Sequence, residues 1–155
     1  MSAELEAAIA FLESLAARRG RPTRHDARPI LLGIGERLLE GDTAAADAAS
    51  TRVGAAAAEL REAFEEAVRD ELGMAATEYV RSVDPRFLDL PAYDLAYTLE
   101  TRRLLEARLR ASERLGVPIE ASLAAGIRRA DDRLRAQPRA RDRFPSDPGR
   151  IERMR

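Results

Sequence analysis

The sequence predicts an all-α protein, an up-and-down bundle of about five helices with one long central helix and a basic C-terminal tail. Three observations carry that expectation. Alanine, leucine, glutamate and arginine dominate the composition, and all four favour the helix. Apolar residues recur every three or four positions, and no stretch of four to eight residues alternates in the β-branched pattern of a strand. Glycine and proline cluster between the periodic segments, where they end one helix and open the next.

The first helix is expected over 3–19, with Ser2 as its cap, Glu4 and Glu6 at its positive dipole end and Gly20 just beyond it. Its apolar stripe is Leu5, Ile9, Leu12 and Leu15. A basic loop follows, and the second helix spans 27–40, capped by Asp26 or Thr23, with Pro29 in its first turn and Gly41 at its end. The longest periodic stretch runs over 43–82, where Ala49, Val53, Ala56, Leu60, Phe64, Val68, Leu72, Ala75 and Tyr79 share one face. Gly54 and Gly73 are its weak points, and its Ala-rich half implies close helix approach. After the break at Asp84–Pro85 and a short turn, helices follow over 92–115 and 118–136. Residues 1–137 thus form one bundle domain, and 138–155 an Arg- and Pro-rich tail with few core formers.

Composition excludes much chemistry. All 26 cationic side chains are arginine, cysteine is absent and His25 is the only histidine. There is no thiol nucleophile, no lysine for a Schiff base or phosphate loop, and no His-rich ligand set. No metal site and no cofactor are expected. Glu59, Glu62 and Glu66 line one helix face but lack the Glu-x-x-His partners of bundle metal sites. His25 beside Asp26 reads as a loop histidine next to a helix cap. Gly33-Ile34-Gly35 lacks the strand and third glycine of a dinucleotide fingerprint and reads as close helix packing. The acidic opening residues predict no secretory or transit peptide, and no apolar run approaches the ~20 residues of a membrane span. A cytoplasmic protein is the expectation.

Charge is uneven along the chain. Residues 1–127 carry 16 arginines against 22 acids, and residues 128–155 carry 10 against 5. That asymmetry directs the functional reading to a surface. The chain reads as a non-enzymatic interaction or assembly protein, self-associating through its Ala-rich helix face. Its acidic protein partner would dock on Arg128, Arg129, Arg133, Arg135, Arg139, Arg141 and Arg143. Nucleic-acid association through the basic segments 18–28 and 128–155 is the alternative. A third reading is a ligand or catalytic pocket around Glu100, flanked by Tyr93 and Tyr97, because the expected stripe of the fourth long helix places this acid toward the core.

Overall fold

The computed structural model describes residues 2–91 and 93–139. It is all-α with bundle-like helix packing, and no strand occurs among the described residues. In chain order the elements are α1 (Ala3–Ala17), α2 (Arg24–Glu40), α3 (Thr43–Ala57), a 3-10 turn (Ala58–Leu60), α4 (Arg61–Ser82), the single turn α5 (Pro85–Leu88), α6 (Leu95–Arg114) and α7 (Ala121–Ala136). The long helical run expected over 43–82 is present. It tightens to 3-10 geometry once, at Ala58–Leu60, and continues unbroken through Gly54 and Gly73.

Helix starts follow local capping more closely than the apolar pattern. α1 starts where Ser2 Oγ accepts the Leu5 amide at 3.3 Å. α2 begins three residues before the expected position because Thr23 and Asp26 form a capping box, with the Thr23 amide donating to Asp26 Oδ2 at 2.8 Å. Pro29 therefore sits in the second turn, not in the first turn that the sequence predicts. α6 starts at Leu95, where Asp94 Oδ1 accepts the Tyr97 amide at 3.0 Å, so Tyr93 precedes the helix. α1 ends through Arg19, which adopts a left-handed φ of 52° while the Gly20 amide reaches back to the Leu15 carbonyl at 2.8 Å.

The helices sort into two compact units. Among the described residues the first comprises 2–72 and 107–117, the second 73–91, 93–106 and 118–139. In the first unit α1 packs on α2 and α3, and α2 on α3. Leu5, Ile9, Leu12 and Leu15 are buried against this set, together with Ile30, Leu31 and Ile34 of α2. Each such side chain contributes roughly 1.5–3 kcal/mol on leaving water. The Ala-rich face of α3 splits in two. Ala46, Ala49, Ala56 and Ala57 are buried, while Ala44, Ala48 and Ala55, with Ala58 of the 3-10 turn that follows, are exposed. Gly33 and Gly35 do serve close packing: a Cβ on Gly35 would lie 1.9 Å from the Ala107 carbonyl oxygen, and one on Gly33 would meet the Leu5 side chain at 2.9 Å. The second unit buries Tyr79, Val83, Leu99, Leu105, Ile127 and Leu134.

Candidate functional site

Glu100 does not face the core, and Glu100, Tyr93 and Tyr97 make no hydrogen bond to one another among the described residues. Glu100 is exposed and is held by Arg103 one turn on, at 2.8 and 2.9 Å. That hydrogen-bonded guanidinium draws its carboxyl below the usual carboxylate range, the opposite of a core acid. Tyr97 is 53% exposed and donates to Glu78 Oε1 at 2.7 Å. Tyr93 donates to the Ser82 carbonyl at 2.6 Å and shares a hydrogen bond with Thr98. The three side chains thus turn to different partners. The correction has a plain cause: α6 buries Leu95, Thr98, Leu99, Arg102, Leu105, Glu106 and Leu109, a face that includes an arginine and a glutamate. Charges at core positions disguise the phase of the helix, and the aromatic-rich opposite stripe takes its place in the pattern.

What occupies the core of the second unit is an ionic network. Arg102 has no exposed side-chain surface and forks onto Asp131, Nε to Oδ1 at 2.8 Å and Nη2 to Oδ2 at 3.1 Å. Its Nη1 donates to Glu106 Oε2 at 3.1 Å. The Tyr79 hydroxyl donates to Asp131 Oδ1 at 2.6 Å, and the guanidinium carbon lies 5.6 Å from the Tyr79 ring centre. Burial works against the arginine's charge, but Asp131 and Glu106 outweigh it and hold Arg102 above its ordinary pKa. Burial, reinforced by the Asp131 charge, keeps the Tyr79 hydroxyl protonated. The network joins α4, α6 and α7 through buried side chains and has the geometry of a core-locking element. Its only sequence signal is the position of Arg102 among Leu95, Leu99, Leu105 and Leu109.

A third buried carboxylate, Glu71, lies in the first unit. It accepts from Arg108 Nε at 3.0 Å, and Arg24 and Arg28 approach it at 3.7 and 3.9 Å. Nearby in sequence, Arg21 pairs with Glu66 at 2.5 Å on the rim of an open groove of about 460 Å³. Glu59, Glu62 and Arg61 also line that groove over Leu60 and Ala63. The basic segment 18–28 therefore lies beside acids of α4. Of the two expected caps, Thr23 is the N-cap and Asp26 closes the capping box from the first turn; His25, expected in a loop, lies in that first turn of α2 and is exposed, because the capping box starts the helix before it. Among the described residues no three His, Asp or Glu side chains converge as a metal ligand set.

The arginines of α7 present the other basic surface. Ala124, Ile127, Ala130, Asp131 and Leu134 face inward, while Arg129 and Arg133 are exposed and have no carboxylate within 4 Å among the described residues. Arg128 and Arg135 are half-buried; Arg135 approaches Asp132 at 3.5 Å, and Nη1 of Arg128 is buried with no hydrogen-bond partner. Arg139 is exposed. Arg141 and Arg143, with most of the expected tail, lie outside the described residues. No helix is long and apolar enough to cross a membrane among those residues. No protein-family model, curated protein or solved structure matches this chain.

Proposed function

We propose that this chain is a non-enzymatic helical interaction protein that docks an acidic protein surface on the outer face of α7, around Arg129 and Arg133, continued by Arg139, Arg141 and Arg143. The observation that supports it is the fate of Asp131. In the sequence this acid offsets the neighbouring arginines; in the fold it turns inward to Arg102 and Tyr79. The outer face of the helix is left more positive than its composition, and a guanidinium there can take a partner carboxylate in a bidentate pair. Self-association belongs to the same reading, through the exposed Ala44, Ala48, Ala55 and Ala58, and sedimentation of the intact chain tests it.

The docking test is co-purification from the host lysate by the intact chain and by R129E/R133E. A defined acidic protein retained by the first and lost from the second is the expected result, followed by direct titration of that partner. Retention of nucleic acid instead, with affinity falling steeply as salt rises, would favour the phosphate-binding alternative. Equal binding by both chains overturns the α7 reading.

A further inference from the structure

Arg24 and Arg28 stand one turn apart on the same face of α2, with side chains 34% and 56% exposed. Among the described residues neither side chain makes a hydrogen bond, and the one carboxylate within 4 Å of either is Glu71, at 3.7 and 3.9 Å. Glu71 is already hydrogen-bonded to the buried Arg108 at 3.0 Å. Two further guanidiniums add little to a carboxylate so partnered, and like charges at this helical spacing repel. Some surface arginines are hydrogen-bonded to a carboxylate: Arg52 reaches Glu6 at 2.7 Å, and Arg103 reaches Glu100 at 2.8 Å; Arg24 and Arg28, like Arg129 and Arg133 of α7, are not. Arg24 and Arg28 thus bring two guanidiniums without hydrogen bonds of their own to one buried carboxylate, and with Arg108 the cluster carries three positive charges against one negative.

We infer that Arg24 and Arg28 form a binding site for a phosphate-type dianion, either free phosphate or the phosphate group of a small monoester. Two guanidiniums one turn apart can each give a bidentate pair to a tetrahedral oxyanion, whose two negative charges relieve their repulsion. A polynucleotide fits the place poorly. Glu62, Glu66 and Asp70 are exposed on the adjoining helix α4 and repel an extended polyanion, while a single compact phosphate need not pass them. This site is independent of the α7 face.

The test is thermal unfolding of the full chain at constant ionic strength, titrated with inorganic phosphate and, separately, with glycerol phosphate against chloride. A saturable rise of about 3–6 °C is expected at a tenfold excess over Kd. It is lost in R24Q/R28Q, and it persists in R129Q/R133Q. R28Q alone, which alters the more exposed member, weakens binding at least tenfold and retains the wild-type circular dichroism. A response to glycerol phosphate alone identifies the monoester as the ligand; a response to both identifies the phosphate group itself. A rise matched by chloride, or one unchanged in R28Q, overturns the site. So does Arg24- and Arg28-dependent binding of a short RNA when neither phosphate probe binds.

Discussion

Arg102 and Asp131 meet side-on in the core of the second unit, two parallel hydrogen bonds of 2.8 and 3.1 Å joining residues 29 positions apart in sequence. A charge this enclosed is tolerable only because its partner is fixed in the same enclosure. Removing one member leaves the other charged in a medium that cannot solvate it. Asp131→Ala is therefore expected to cost about 3–5 kcal/mol, and Tyr79→Phe, which removes one donor to the same carboxylate, about 1–2 kcal/mol. The double replacement R102M/D131L still takes Arg102 from the buried Glu106, so it is expected to cost less than R102M and D131L summed without restoring the original stability. Urea unfolding of these variants measures it, and additive losses in the double variant would contradict the account.

Gly35 and Gly54 are both helical glycines with opposite expected responses to alanine. At Gly35 a methyl group would lie 1.9 Å from a backbone oxygen, which cannot rotate away. Gly35→Ala is expected to cost about 3 kcal/mol or more, since overpacking here exceeds the propensity gain. Nothing lies within 4 Å of a Cβ on Gly54 or Gly73. Alanine at either site is expected to add about 0.5–1 kcal/mol. Denaturant midpoints for the three substitutions give the comparison directly.

Arg19 carries a side chain in the left-handed region, at φ 52°. An L-residue there costs about 1–2 kcal/mol relative to its ordinary backbone, and glycine removes most of that strain. Arg19→Gly is expected to raise the melting midpoint by about 2–4 °C, while glycine at the neighbouring Arg18, whose φ is negative, lowers it.

The acid limb of stability should carry the mark of Asp84. Its side chain accepts from the Arg86 guanidinium and amide, which draw its pKa from 3.8 to about 2. A folded pKa below the unfolded one means stability that is present above about pH 4 and is lost as pH falls toward 2. In Asp84→Asn the helical turn α5 keeps a capping side chain, and this part of the acid transition flattens. Chemical-shift titration of the Asp84 carboxyl reports the same shift; a midpoint near 4 would contradict it.

The stripes of α1 and of the 43–82 run were legible because their core positions are apolar and only the spacing had to be read. Leu5, Ile9, Leu12 and Leu15 are all buried, as are Val53, Phe64, Val68, Leu72 and Tyr79. Gly35 was legible as a packing glycine for a related reason: a residue without a side chain inside a helical pattern has few other uses. Glu100 was misplaced because this stretch carries apolar residues on two sides, and the side that is buried is the one that holds Arg102 and Glu106. The helix starts at Arg24 and Leu95 were set by side-chain caps, Asp26 and Asp94, whose local hydrogen bonds compete with the apolar register.

The amino-acid order by itself determined the helical class, the breaks at Gly41 and Asp84–Pro85, and the chemistry open to the chain, which is that of carboxylate, hydroxyl and guanidinium groups. These follow from propensity, from short-range sterics and from composition, all of which act within a few residues. Only the tertiary structure decided which charges are neutralised. Whether Asp131 offsets the arginines of α7 or turns inward to Arg102, and whether Glu71 serves one arginine or gathers three, depends on partners brought from distant positions. Burial strengthens those pairings by removing the water that would otherwise screen them, and the charge left on the surface is what remains after the core has taken its share.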